Sequence, residues 1–247
     1  TELRRVFEWF SNGDCGVPQV QNRGEWQKFF DTVGHFNPQA TYILALDKIS
    51  SNVDAPISSL GMIPWNAILD FDPDSEISGF LKSVEGTIAR HRVIHRVVRG
   101  DSRVHPHPGT HWFFARGFSG RQDTLALGDH RMWLKLYKAE LSKQLQRLAG
   151  AISPSPVIAI LIWSDAKLRN HLRTLIEELY GAFGEAIEII VVSNDSPSFE
   201  ALVGETGATF VHLSLRSLCA GVGLHFSDLS LSPDSDERYV LPASGGA

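Results

Sequence analysis

The stretch "AILDFDPDSEISGF", residues 67 to 80, sets Asp70, Asp72 and Asp74 two apart where an apolar run ends. Acids at this spacing serve three chemistries. In phosphoryl transfer by an apolar strand followed by D-x-D, the first aspartate attacks and the second handles the proton. That reaction also needs magnesium, a lysine and a later acidic pair, and "VVSND" at 191 to 195 supplies only a fragment of the set. Alternating aspartates also open a calcium loop, but loop positions six and twelve, counted from Asp70, hold Ser75 and Leu81 instead of glycine and glutamate. The third reading is a turn that caps a helix, and it leads, ahead of an acid touching a ribose or cofactor. Were the chain an enzyme, Asp70, Asp72 and Asp195 would be its candidate catalytic acids.

Two further constellations carry charge or nitrogen ligands. "HRVIHRVVRGDSRVHPHPGTH" at 91 to 111 holds His91, His95, His105, His107 and His111, half of the chain's ten histidines. In an extended segment, which Pro106 and Pro108 favour, His105 and His107 point the same way and His111 could close a three-nitrogen zinc site. No cysteine or paired acid supplies a fourth ligand, so these three are weak metal candidates. From 90 to 121 come seven arginines, Arg90, Arg92, Arg96, Arg99, Arg103, Arg116 and Arg121, with Trp112, Phe113 and Phe114 nearby. A basic, aromatic-rich surface of this kind suits phosphate or nucleic acid; the alternative is a charged edge strand guarded against aggregation. In "ARGFSGRQDT" at 115 to 124, Arg116, Gly117 and Arg121 could cradle a phosphate, although neither G-x-x-x-x-G-K-[ST] nor G-x-G-x-x-G is present.

These residues need elements to position them. Seven apolar runs read as strands: 41 to 47, 65 to 72, 93 to 99, 111 to 117, 156 to 163, 186 to 193 and 208 to 214. Amphipathic stripes predict helices over 78 to 91, 130 to 149 and 166 to 183, and Ser196 with Pro197 announces another, as N-cap and first helical residue. Near-continuous apolar strands alternating with such helices imply an α/β fold, a doubly wound, mostly parallel Rossmann-like sheet with helices on both faces. Ligands in that fold sit beyond the carboxyl ends of the strands. That edge carries Asp47, Asp70, Asp72, Arg116, Gly117, Ser164, Asp165, Ser193 and Asn194, which are the candidate ligand-binding residues. The aromatic-rich residues 1 to 36 read as two short helices packed on the main domain, 37 to 232 as the Rossmann-like domain, and 233 to 247 as a linker.

Composition narrows the function classes. With 43% hydrophobic and 21% charged residues, the chain of 247 residues has ordinary globular usage, and its longest apolar stretch, "PVIAILIW", is strand-sized, so no membrane partner is expected. The net charge of −5 argues weakly against general nucleic-acid binding. Cys15 and Cys219 lie far apart without a CxxC partner, which suits a reducing, cytoplasmic setting. No G-x-S-x-G elbow, HExxH or Walker motif is present. The start at Thr1 and the tail "LPASGGA" suggest a domain cut from a longer protein.

The run "LGMIPWNAILDFDPDSEISGF", with "HWFFARG" and "VIAILIWSD", resembles the sirtuin-like region of bacterial STAND NTPase defence proteins related to the sterile-alpha-motif domain-containing protein nine family. The resemblance covers most of residues 1 to 240 and its motifs are structural. It implies a Rossmann-type sheet, NAD cleavage in active relatives, and an Alba-type domain and a P-loop NTPase as neighbours in one polypeptide. Active sirtuin-like domains carry G-A-G-x-S after the first strand, where this chain has "ALDKISS", and their catalytic histidine has no counterpart here. The expectation is therefore a non-catalytic regulatory or ligand-sensing module of an antiviral defence protein, with NAD or another nucleotide as the ligand to test. The alternatives are a divergent NAD or nucleotide hydrolase, and polyanion binding through residues 90 to 121.

Overall fold

The computed structural model describes residues 23–33, 36, 39–47, 57–71, 80–88, 92–97, 109–114, 130–151, 156–164 and 169–231. Seven strands form one sheet: β1 (Thr41–Leu46), β2 (Trp65–Asp70), β3 (Ile94–Val97), β4 (Thr110–Phe114), β5 (Val157–Ile162), β6 (Ile187–Ser193) and β7 (Thr209–His212). Their order is β3-β4-β2-β1-β5-β6-β7 and every pairing is parallel. Each of the seven runs expected from the sequence contains one of these strands. Six α-helices are described: α1 (Arg23–Val33), α2 (Phe80–Ile88), α3 (His130–Ala151), α4 (Arg169–Phe183), α5 (Ser196–Thr206) and α6 (Leu215–Leu231).

Alternation along each strand sends side chains to two separate cores. Tyr42, Leu44 and Leu46 of β1 join Ile158, Ile160 and Ile162 of β5 beneath α1, α2 and α6, which contribute Trp26, Phe29, Val84, Leu218 and Val222. Ile43, Ala45, Ala159 and Leu161 face the other way, beneath α3, α4 and α5, with Leu145, Leu172, Ile176 and Phe199. Helices therefore cover both faces, as a buried parallel sheet requires. At the one irregular step, between Tyr42 and Ile43, the Asn66 side-chain oxygen accepts the Tyr42 N–H at 3.1 Å and so replaces a ladder bond.

One local reading changes. Asp195, with φ −103° and no side-chain cap bond, is the N-cap of α5, which places Ser196 inside the helix and Pro197 one position later than expected. The G-x-G in "CAGVGLHF" at 219 to 226 is the middle of α6. Its glycine is needed for contact: a Cβ on Gly221 would stand 2.1 Å from Trp26 Cη2, so α1 and α6 meet there without a side chain between them.

Helix α1 belongs to the main core. Trp26 stacks on Phe30 with ring centroids 5.4 Å apart, and Phe36 packs on Phe226 at 5.5 Å. Phe36 holds φ at 53°, a costly backbone for a bulky residue, and its full burial among rings offsets that cost. Polar residues of α1 also close the β7 edge of the sheet. Glu25 Oε2 accepts the His212 N–H at 2.6 Å and Lys28 donates to the Phe210 carbonyl, which masks groups that would otherwise template another strand. The other helix expected within 1 to 36 lies outside the described residues.

Cys219 shows how deep this layer lies. It is 0% exposed, Ser59 Oγ donates to its carbonyl at 2.6 Å, and burial pushes its thiol from 9.0 up to about 12, the Ser59 side chain lowering it in part. The unfolded chain loses this proton first, so the contribution to stability is full below the ordinary thiol value and shrinks as pH rises towards 12. The expected loss is about 1.4 kcal/mol per pH unit in that window. Urea denaturation at about pH 8 and pH 10 should show it in the wild type and not in Cys219→Ala. Equal slopes would refute it.

Candidate functional site

The chain winds from β1 towards β2 on one side, and β5, β6 and β7 fill the other, so the topological switch point lies between β1 and β5. A doubly wound sheet places its crevice at the carboxyl ends of those two strands. The parallel ladder runs one residue beyond the assigned strands: Phe71 N donates to Leu46 O, Asp47 N to Ile162 O, and Trp163 N to Val192 O, at 2.9, 3.2 and 3.0 Å. Phe71, Asp47, Trp163 and Ser193 thus form a row across β2, β1, β5 and β6. Alternation turns all four to the face covered by α3, α4 and α5, where Phe71 and Trp163 are core members.

Asp47 is the acid at the switch point. It is 2% exposed, its Oδ2 accepts the Ser164 N–H at 2.8 Å and its Oδ1 accepts the Ser164 hydroxyl at 3.1 Å. One carboxylate therefore fastens the end of β1 to the segment leaving β5. Phe71 and Trp163 flank it, and their rings meet edge-on with centroids 5.6 Å apart. Since their strands stand two spacings apart, roughly 10 Å, the rings lean together over the strand that bears Asp47. The Trp163 indole N–H is buried without an acceptor.

Asp70, the first acid of the opening motif, takes a different position. It pairs in register with Leu46 and faces the opposite core from Asp47, where its Oδ2 accepts the Trp112 indole N–H at 3.2 Å. At 1% exposure it is a buried acceptor that ties β2 to β4. The two acids at neighbouring strand ends thus point to opposite faces of the sheet. Ser193 is buried and its Oγ accepts the Asp195 N–H at 3.1 Å, while the exposed Asn194 carbonyl accepts from His212 Nε2 at 3.0 Å. Asp195 follows β6, three strand spacings from β2, or roughly 14 Å, so the fold does not bring it to Asp70. Asp72, Arg116, Gly117 and Asp165 lie outside the described residues.

The basic and histidine-rich candidates sit elsewhere. Arg92 Nη1 donates to the Trp65 carbonyl at 3.1 Å, beside Thr110 Oγ1, which donates to the same oxygen at 2.7 Å. Both meet at the amino end of β2, away from the switch-point crevice, and burial pushes the Arg92 guanidinium below the usual arginine range. Arg96 grips Glu85 of α2 with Nη2 at 2.5 and 2.8 Å from the two carboxylate oxygens. His111 is 7% exposed on β4 and faces His95 of β3 in register, with rings 5.2 Å apart. Among the described residues, no group of three or more His, Cys, Asp or Glu is placed to hold a metal ion. His105, His107, Arg99, Arg103 and Arg121 lie outside those residues.

Sequence reasoning missed Phe71 and Trp163, which flank Asp47, and read Trp112 as part of a basic, aromatic-rich surface, whereas it is fully buried against Asp70. The available signal was an aromatic residue directly beside an acid or serine at a strand end, as in "LDF" and "IWS". Comparison with known proteins adds nothing to the geometry: no family model, no curated protein and no solved structure matches the chain. Among the described residues no helix is long and apolar enough to cross a membrane.

Proposed function

We propose that this chain is a non-catalytic regulatory or ligand-sensing module, the sirtuin-like region of a larger antiviral STAND NTPase-type defence protein. One observation carries the non-catalytic part: the acid at the switch point, Asp47, has both carboxylate oxygens engaged by Ser164. A general base or nucleophile needs an oxygen facing a substrate. The acid on the next strand, Asp70, lies on the opposite face as an acceptor for Trp112. The wider assignment rests on the resemblance of residues 60 to 80, 111 to 117 and 157 to 165, with "ALDKISS" standing where active relatives bear a glycine-rich loop.

In such a protein the module would act through neighbouring P-loop NTPase and Alba-type domains, in the cytoplasm of a bacterial cell. NAD or another nucleotide is the ligand class to test first. Incubation of the 247-residue chain with NAD, ATP and GTP, followed by chromatography, is expected to leave each nucleotide intact. Turnover that disappears in Asp72→Ala, or in Asp70→Asn, which keeps the acceptor for Trp112, would instead establish a hydrolase.

A further inference from the structure

Two side chains of α1 stand on the outer edge of β7 in the places a further strand would take. β7 ends the sheet order, next to β6. Along such an edge strand, the backbone groups of alternate residues point outward. Lys28 Nζ donates to the Phe210 carbonyl and Glu25 Oε2 accepts the His212 N–H at 2.6 Å. Phe210 and His212 are therefore the outward pair, and the backbone of Val211 between them turns to β6.

In a parallel ladder, one residue of an added strand donates its N–H to the carbonyl before its opposite number and accepts the N–H after it. The Lys28 ammonium and the Glu25 carboxylate supply that donor and that acceptor on either side of Val211. They stand three apart on one face of α1, so a single helical turn imitates one residue of an eighth strand. Trp26 and Phe29, beside them in the chain, are buried in the core, which fixes the helix and leaves only the two polar side chains to move.

The groups they cover also fit a second copy of the chain. About a two-fold axis through Val211, the Phe210 carbonyl of one copy meets the His212 N–H of the other, and symmetry supplies the reciprocal bond. An acceptor and a donor two residues apart on one edge are thus self-complementary. Such a contact pairs β7 antiparallel with its mate and closes at a dimer.

We infer that the β7 edge is a homodimer interface held shut by Glu25 and Lys28, and that the partner it fits is a second copy of this chain paired β7 to β7. The edge lies two strands from β5 and the switch-point crevice, so it stands or falls separately from the proposed function.

The test opens the edge with the double variant Glu25→Ala/Lys28→Ala. Alanine suits a helix and Lys28 is exposed, so α1 persists. Sedimentation equilibrium of the 247-residue chain over a dilution series is expected to show dimerisation at least about tenfold tighter than in wild type. Lys28→Ala alone uncovers only the Phe210 carbonyl and should give a smaller gain of the same sign. In a proton–nitrogen correlation spectrum, the His212 amide of the double variant should shift as concentration rises. Glu25→Gln keeps an acceptor for that N–H and should behave as wild type. Variants that associate no more tightly than wild type would overturn the inference. So would association that grows past the dimer or leaves the His212 amide unmoved. Equal association by Glu25→Gln and the double variant would also sink it, because lost charge rather than an opened edge would then be the cause.

Discussion

Gly221→Ala is expected to destabilise the fold by about 2 kcal/mol, and the same change in a Trp26→Ala background is expected to stabilise it. The added Cβ would lie 2.1, 2.4 and 2.7 Å from three ring carbons of Trp26, distances no side-chain contact adopts. The indole has nowhere to go, since Trp26 is 3% exposed and packed on Phe29 and Phe30. Overpacking of this kind costs about 1 to 3 kcal/mol or more, against roughly 1 kcal/mol gained when alanine replaces a mid-helix glycine. Clash wins while the ring is present, and helix propensity wins once it is gone. Urea unfolding of the two single variants and the double variant closes the cycle. Independent, additive effects at the two positions would show that α1 and α6 do not meet as described.

Asp70→Ala is expected to cost about 3 kcal/mol, whereas Asp70→Asn should cost less than half of that. Alanine leaves the buried Trp112 indole N–H without its acceptor at 3.2 Å and opens a void at the end of β2. Asparagine keeps an acceptor oxygen and the side-chain volume while removing the charge. Equilibrium unfolding of both variants, read beside Trp112→Phe, separates an acceptor role from a need for charge. If asparagine proves as damaging as alanine, the carboxylate charge itself matters.

These expectations bear on how much the sequence could say. The strands were legible because a buried parallel sheet demands continuous apolar runs, and "TYILAL", "PVIAILIW" and "IEIIVV" leave no other period to follow. Helices α2, α3 and α4 were legible from stripes such as Leu172, Leu175, Ile176 and Leu179, all buried. Helix α6 was not, because Gly221 and Gly223 weaken the local helix signal, and what compensates is contact with Trp26, far away in the chain. The N-cap shifted by one residue because Asp195 and Ser196 are equally suited to the position by type.

For the candidate site, the sequence placed Asp47, Asp70, Ser164, Ser193 and Asn194 at or just beyond the carboxyl ends of strands, and they are there. It could not rank them. The aspartate motif at 70 to 74 drew attention by its spacing, yet the acid at the switch point is Asp47, a single aspartate after β1. Arg92 and Arg96 likewise looked like parts of one basic surface, whereas one holds the Trp65 carbonyl and the other Glu85.

The sequence alone therefore determined the class of fold, because hydrophobic period and strand length are local properties that burial on two faces imposes on any parallel sheet. Tertiary structure alone decided the strand order, and with it which acid stands at the switch point, which face each side chain takes, and which groups are already engaged. Those are set by pairings between segments far apart in the chain: β1 joins β5 across more than a hundred residues, and Asp47 meets Ser164 across 117. No local spacing encodes such a meeting.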